Sequence, residues 1–218
     1  MNENPQIKCL SVGPLQANCY LLADPSGQMA IIDPGGDPEE IISVIDREGW
    51  SPVVVINTHN HIDHVAANRA VVERYRVPLL IHRRDAAGLS DPGMNLSALG
   101  FGPLDSPLAD RELDHGDEIR VGGLVLKVIA TPGHTPGSIS LLLERGNQPA
   151  VIFTGDTLFA GGVGRTDFPG GSGKDLVSSI RDRLLVFPDE TVILSGHGDS
   201  STIGEERRGN YFVERFIL

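Results

Sequence analysis

Four short apolar runs in this chain each lead, within a few residues, to a histidine or an aspartate. Each run is typical of a buried β-strand, and a Gly, Ser or Thr stands between the strand and the polar residue. Catalytic groups gather beyond the carboxyl ends of strands in open α/β sheets, so the pattern favours a fold in which four strand ends meet. The runs and their polar residues are Val53–Ile56 with His59, Leu126–Ile129 with His134, Val151–Phe153 with Asp156, and Val192–Leu194 with His197.

Other segments alternate between strand and helix patterns. The β-rich opening of each half is followed by helix–strand units, which predicts an α/β fold with two stacked sheets and helices outside them. At 218 residues, the chain is expected to form one domain over 1–218. Residues 88–110 show no period and predict a long surface loop. Further strands are expected at 7–12, 19–23, 29–32, 79–81, 118–121, 124–130, 138–143 and 191–194, and helices from Pro38 and at 65–76, 174–186 and 203–216.

The segment Thr58–His64 concentrates groups that bind metals. It reads THNHIDH and holds three of the seven histidines. In a strand-to-helix turn, His59 and His61 point to the same side, and His64 comes from the first helical turn. Imidazole nitrogens and the carboxylate of Asp63 can therefore surround one or two metal ions.

Together with the three other strand ends, this segment supplies five histidines and two aspartates. A single tetrahedral zinc takes roughly three or four protein ligands, so seven suit two ions about 3.5–4 Å apart with a bridging carboxylate. Nitrogen and oxygen ligation predicts two divalent ions, zinc above all, with iron or manganese as alternatives. His82 and His115 follow no such pattern and are expected to be structural. The candidate metal ligands are His59, His61, Asp63, His64, His134, Asp156 and His197.

Charge and composition limit the partners and the compartment. Acidic residues outnumber basic ones by 29 to 18, so nucleic acid and anionic membranes are disfavoured as partners. No apolar stretch reaches the roughly 18 residues of a membrane span, and no signal peptide is visible at the N-terminus. Cys9 and Cys19 lie in apolar surroundings, which predicts buried thiols in a reducing compartment. We therefore expect a cytoplasmic protein.

The metal-ligand motifs resemble those of the metallo-β-lactamase superfamily. They read THNHIDH at 58–64, PGHT at 132–135, TGDT at 154–157 and SGH at 195–197, so the resemblance spans nearly the whole chain. It implies an αββα four-layer sandwich with metal ions at one end of the sheets. Position by position, it assigns His59, His61 and His134 to one ion and Asp63, His64 and His197 to the other. Asp156 would bridge the two ions together with a hydroxide.

Within the superfamily, the chain is most similar to the single-domain branch of the hydroxyacylglutathione hydrolases (glyoxalase II). The stretches that carry this likeness are 154–159, 162–172 and 195–201. Longer members of the group bind glutathione with a helical C-terminal domain that has no counterpart here. Arg165 aligns with a basic residue that meets the glutathione carboxylate in those enzymes, and it could equally pair with Asp167.

Two enzymatic functions follow from the resemblance. The first is hydrolysis of a small-molecule thioester such as S-D-lactoylglutathione, with Asp63 orienting the attacking hydroxide or accepting its proton. The second is oxidation of glutathione persulfide by a dioxygenase with one iron held by His59, His134 and Asp156. A non-enzymatic metal-binding module is disfavoured, because an inactive scaffold would not need all seven ligand positions.

Overall fold

The computed structural model describes residues 4–100, 104 and 106–216, which form two stacked sheets with helices outside them. In spatial order, the first sheet contains β1 (Gln6–Val12), β2 (Ala17–Ala23), β3 (Gln28–Ile32), β4 (Ser51–Ile56), β5 (Leu79–His82) and β6 (Arg111–Leu113). The second contains β14 (Ser201–Thr202), β13 (Val192–Ser195), β10 (Gln148–Gly155), β9 (Ile139–Arg145), β8 (Leu124–Ala130) and β7 (Glu118–Val121). A small hairpin joins β11 (Leu158–Phe159) and β12 (Gly162–Val163).

Strands β2 and β3 are apolar on both faces, because each face lies against a different layer. Leu22 and Ile32 belong to the apolar core between the two sheets, together with Phe153 from the second sheet. Leu21 and Ile31 belong instead to the core between the first sheet and its helices. Side chains alternate across a strand, so a continuous apolar run is what a strand buried on both faces requires.

The helices form the two outer layers. Helices α1 (Pro38–Glu48) and α3 (Asn68–Tyr75) pack on the first sheet, and α4 (Gly173–Ser179), α5 (Ile203–Gly209) and α6 (Tyr211–Phe216) pack on the second. A single helical turn, α2 (Ile62–Val65), stands at one end of the sheets and contains His64, as predicted. The layers follow the order helix, sheet, sheet, helix. The predicted α/β class and four-layer αββα architecture are therefore confirmed.

Three predicted helices are interrupted. The helix predicted at 65–76 is separated into the last residue of α2, Val65, and α3, which begins only at Asn68. The one at 174–186 passes from α4 into a π-helical turn at Ile180–Leu184. The helix predicted at 203–216 breaks at Asn210, whose backbone is extended (φ −85°, ψ 113°). The side-chain oxygen of Asn210 accepts a hydrogen bond from the Phe212 N–H at 3.0 Å. An asparagine in this role begins a new helix instead of continuing the old one.

Two other predictions are corrected. Cys19 is buried as expected, but Cys9 is exposed, because it lies on β1 at the edge of the first sheet. The region 88–110 does not form a surface loop throughout. Its described part includes the short 3₁₀ helix Ser97–Leu99, and the side chains of Leu89 and Asn95 are buried. No helix among the described residues is long and apolar enough to cross a membrane.

The core between the sheets gives a test of the fold. Phe153 is 1% exposed, and its ring meets that of Tyr20 edge-on at 5.3 Å. We expect Phe153→Ala to lower the free energy of unfolding by about 3–5 kcal/mol, because it removes buried surface and leaves a cavity. Val186 is 66% exposed. As a control, Val186→Ala should change this free energy by less than about 0.5 kcal/mol. Both values are measured by urea titration. Equal losses in the two variants would contradict the assignment of the core.

Candidate metal centre

Four strand ends meet at one end of the two sheets. Strand β4 belongs to the first sheet, and β8, β10 and β13 belong to the second. Strands β10 and β13 are parallel, and β8 runs in the same direction because both β8 and β10 are antiparallel to β9. All three strands of the second sheet therefore end at the same edge, facing the segment that follows β4. This is the convergence that the sequence pattern predicted.

The structure brings all seven candidate ligands together. The ligand atoms of His59, His61 and His134 lie within 4.8 Å of one another, and so do those of Asp63, His64 and His197. These are the two sets that the sequence resemblance assigns to two ions. The ligand roles themselves stay a prediction.

Asp156 lies between the two sets. Its Oδ2 is 3.5 Å from Nε2 of His134 in one set and 3.7 Å from Nε2 of His197 in the other. Its Oδ1 is 3.4 Å from Nε2 of His64. One carboxylate thus reaches nitrogens of both sets, which is the placement that a bridging ligand needs.

Several buried polar atoms of the centre have no hydrogen-bond partner in the described part of the chain. They are Nε2 of His59, His61 and His64, and Oδ1 of Asp156. A buried polar atom without a partner is costly, so such atoms indicate that another group satisfies them. Imidazole nitrogens and carboxylate oxygens are ligands of divalent cations, and the donor set therefore fits metal ions.

Burial keeps most of the imidazoles in the form that binds metals. Burial lowers the pKa of His61 to about 3, helped by the neighbouring imidazole of His134. Burial also lowers the pKa of His59 and of His134. Metal ligation requires neutral imidazole, so these shifts favour a cation over protons.

The two carboxylates create a negative field in the same space. Burial would raise the pKa of Asp63 and of Asp156, but the nearby imidazoles, His64 first, hold both pKa values below the usual range. Burial would likewise lower the pKa of His64, yet Asp156 and Asp63 raise it. Both aspartates are thus ionised, and their charge attracts cations into the centre.

The carboxylate of Asp33 orients two of the imidazoles. Its Oδ2 is 3.1 Å from Nδ1 of His64 and accepts a hydrogen bond from the Thr58 hydroxyl at 2.6 Å. The Thr58 oxygen is in turn 3.1 Å from Nδ1 of His59. Since a carboxylate only accepts, this network places a proton on each Nδ1 and directs each Nε2 to the centre.

Sequence analysis missed Asp33, although the signal was present. The apolar strand β3 leads directly into Asp33, as the four other strands lead to His or Asp. The segment that follows, PGGD, is also typical of a turn, and this second signal conceals the first. The backbone of Asp33 adopts a left-handed conformation (φ 53°), which aspartate tolerates better than most residues do.

A second buried carboxylate, Asp85, joins the two loops that carry His61 and His134. Its Oδ2 accepts hydrogen bonds from the Asn60 N–H at 3.2 Å and from the Thr135 hydroxyl at 2.7 Å. Burial raises the pKa of Asp85 to about 6. One side chain therefore fixes the distance between ligand loops that come from different sheets.

Gly196 shows why small residues precede the ligands. A Cβ atom at Gly196 would lie 2.2 Å from Oδ1 of Asp156 and 2.8 Å from a ring carbon of His64. Any side chain at this position would displace the carboxylate between the two ligand sets. The close approach predicted from the sequence is thus required here.

A cavity of about 540 Å³ opens over the centre. Arg165 lines this cavity, as expected of a substrate-binding residue, but its Nε and Nη2 donate to the carboxylate of Asp167 at 2.7 and 2.6 Å. The guanidinium carbon also lies 3.9 Å from the ring centroid of Phe168. The ion pair that the sequence left open is therefore present. Any contact of Arg165 with a substrate stays a prediction.

His82 and His115 lie outside the cluster. Nδ1 of His82 accepts a hydrogen bond from the Arg84 N–H at 3.2 Å, and Nδ1 of His115 accepts one from the Ala130 N–H at 3.3 Å. Both contacts are with the backbone, which agrees with the structural role predicted for these residues.

A four-layer fold with a cluster of histidines and aspartates at one sheet end defines a metallo-hydrolase type of enzyme. The sequence profile of the metallo-β-lactamase superfamily matches residues 12–197. The chain belongs to that superfamily.

Relatives of similar length are found in several bacteria. A Mycobacterium tuberculosis protein is 42% identical over 212 residues, covering 93% of this chain and 95% of its own length. The probable metallo-hydrolase YqgX of Bacillus subtilis is 36% identical, and the match covers 96% of this chain and 98% of YqgX. The hydroxyacylglutathione hydrolase GloC of Haemophilus influenzae is also 36% identical, with 95% and 97% covered.

Solved structures show the same fold. The crystal structure of BLEG-1, a B3 metallo-β-lactamase, is 36% identical and has a TM-score of 0.91, covering 95% of this chain and 99% of that one. TTHA1623, solved in a di-iron-bound form, is 36% identical, with a TM-score of 0.84 and coverages of 94% and 99%. ETHE1 from Myxococcus xanthus is 31% identical, with a TM-score of 0.81 and coverages of 97% and 88%.

Asp33 and Asp37 give a matched pair for testing how the imidazoles are oriented. Both have a left-handed backbone (φ 53° and 46°), which asparagine also tolerates. In Asp33→Asn, the amide would present donors to Thr58 and His64 and disturb the tautomers of the two histidines. We expect the affinity for zinc, measured by chelator competition, to fall about 10–100-fold.

In the control Asp37→Asn, the amide oxygen can still accept the Gly13 N–H, which Asp37 now binds at 2.7 Å. Its zinc affinity should match that of the wild type. Equal affinities in all three proteins would show that Asp33 does not orient the ligands.

Proposed function

We propose that the protein is a metal-dependent hydrolase of a small-molecule thioester, of which S-D-lactoylglutathione is the type. The observation that carries the proposal is the pair of ligand sets with Asp156 between them. We assign His59, His61 and His134 to one ion and Asp63, His64 and His197 to the other. When bound, two divalent cations would polarise the substrate carbonyl and lower the pKa of water towards neutrality.

The protein's own groups supply position and proton transfer. Oδ2 of Asp63 is 3.2 Å from Nε2 of His197, and the Asp63 side chain is 16% exposed at the cavity. We assign it to orient the attacking water and to accept its proton. Water attacks the carbonyl carbon, the C–S bond breaks, and a thiol and a carboxylic acid leave. A thiolate is a fair leaving group, so no strong general acid is needed.

Similarity to a named relative supports thioester hydrolysis as the reaction. GloC of Haemophilus influenzae is named a hydroxyacylglutathione hydrolase, and this chain covers 97% of its length. A protein with that name thus has about the length of this chain. Zinc is our first choice of metal. Iron is the alternative that the di-iron form of TTHA1623 supports.

Removal of the shared carboxylate tests the two-ion assignment. We expect Asp156→Ala to lose metal affinity and thioester hydrolysis together. Each should fall by more than about a hundredfold, the loss typical of mutating a residue that only hydrogen-bonds to a metal ligand. Metal content and initial rates should be measured on the same sample. Asp182, an exposed residue paired with Arg181, is the control, and Asp182→Ala should keep both properties. Full activity with both ions retained in Asp156→Ala would overturn the assignment.

Turnover of S-D-lactoylglutathione tests the proposed reaction. Protein loaded with zinc should hydrolyse it with kcat/KM of about 10⁴ M⁻¹s⁻¹ or more, followed as loss of thioester absorbance. The absence of turnover in a sample shown to hold two ions per chain would reject this substrate.

The second candidate is a persulfide dioxygenase with one iron. The juxtaposition of His59, His134 and Asp156 in one centre supports it. The two functions differ in a simple way. A dioxygenase binds one iron and consumes oxygen when glutathione persulfide is added, whereas the hydrolase binds two ions and consumes none.

A further inference from the structure

The walls of the cavity over the metal centre are apolar. Among the described residues that line it, five are candidate ligands and one is Arg165, and all the others carry apolar side chains. Leu15, Leu99 and Phe159 are three of these apolar residues. Apart from Arg165, the described lining thus consists of candidate metal ligands and hydrocarbon.

The one other charged group of the lining is already engaged. Arg165 forms its two hydrogen bonds with Asp167 and stacks on Phe168. The Asp167 carboxylate offsets the charge of this cation, although three of the five guanidinium N–H donors are not used in the pair. The cation in the described lining is thus paired with a carboxylate, which weakens its attraction for the carboxylates of glutathione.

Two leucines of this lining are exposed to solvent. Leu15 is 44% exposed and Leu99 is 62% exposed. Both lie at the cavity, so a ligand with a hydrocarbon group would cover apolar surface that now faces water.

The apolar surface extends beyond Val163. A neighbouring cavity of about 410 Å³ shares Val163 and Arg165 with the first and is otherwise lined in part by Leu176, Phe212 and Phe216. Phe212 is 43% exposed and Phe216 is 58% exposed. Exposed hydrocarbon thus continues from the site to α6.

We propose that, among thioesters, the site prefers those with an apolar acyl group, and that Leu15, Leu99 and Phe159 determine this preference by contact with the hydrocarbon chain. Biological thiols such as glutathione are polar, so the apolar part of such a substrate is the acyl group. This inference rests on the proposed thioester hydrolysis. Water still cleaves the C–S bond to give the thiol and a fatty acid.

A matched series of substrates tests the proposal. S-lactoyl, S-butanoyl and S-hexanoyl thioesters of N-acetylcysteamine share one small uncharged thiol and differ only in the acyl group. For the zinc-loaded wild type, kcat/KM for the hexanoyl thioester should exceed that for the lactoyl thioester at least about tenfold. An equal or higher value for the lactoyl thioester would overturn the proposal.

Three exposed leucines supply the variants and their control. Leu15→Ser and Leu99→Ser should each lower kcat/KM for the hexanoyl thioester about three- to tenfold, mainly through KM, and leave the lactoyl thioester within about twofold. Leu108 is 71% exposed and is absent from the described lining, so Leu108→Ser should match the wild type on both. Loss of activity on both substrates, or the same loss in Leu108→Ser, would contradict a specificity role.

A binding measurement separates this inference from the proposed reaction. The hexanoyl ketone isostere, in which CH₂ replaces the thioester sulfur, should bind the wild type more tightly than the lactoyl isostere and lose that advantage in Leu15→Ser. If no thioester is hydrolysed but this preference is found, the reaction is wrong and the apolar site stands. If thioesters are hydrolysed and the isosteres bind alike, the apolar site is wrong and the reaction stands.

Discussion

The structure depends on a group of buried imidazole and carboxylate atoms that cannot satisfy one another. Nε2 of His59, His61 and His64 and Oδ1 of Asp156 lack hydrogen-bond partners within the described residues, and the ionised Asp63 adds negative charge beside them. Such an arrangement is unfavourable by itself and becomes favourable when cations bind it. Stability and metal binding are therefore coupled in this protein.

The surrounding structure keeps these groups in place by linking the two sheets. Asp85, which follows β5, binds Thr135 in the loop after β8. On the other side of the centre, the hydroxyl of Tyr20 on β2 donates to the carbonyl oxygen of Ser195 on β13 at 2.7 Å. Since the ligands come from both sheets, a shift of one sheet against the other would separate them. Hydrogen bonds between the sheets prevent that shift, and the apolar core behind them provides a rigid support.

Much of this arrangement could be predicted from the sequence. Apolar runs fixed the positions of the central strands, and the residues after them predicted where the polar groups would meet, because strand ends on one sheet edge are neighbours. The α/β class with two stacked sheets followed from the alternation of strand and helix patterns, and the αββα sandwich followed from the family resemblance. The pattern therefore identified His134 and Asp156, polar residues that follow apolar strands, as members of one cluster.

What escaped prediction depends on contacts between distant segments. The break at Asn210 arises from side-chain hydrogen bonds to Gly162 and Phe212, and a periodic helical pattern does not reveal it. Asp85 has an ordinary sequence context, and only the fold brings it to Thr135. The exposure of Cys9 reflects the place of β1 at a sheet edge, which strand propensity alone does not give.

The number of metal ions per chain tests the central claim most directly. Wild-type protein equilibrated with zinc and freed of unbound metal should contain two ions per chain by elemental analysis. Anomalous scattering from its crystals should place them about 3.5–4 Å apart on either side of Asp156. A single ion held by His59, His134 and Asp156, with Asp63 and His197 unligated, would contradict the account.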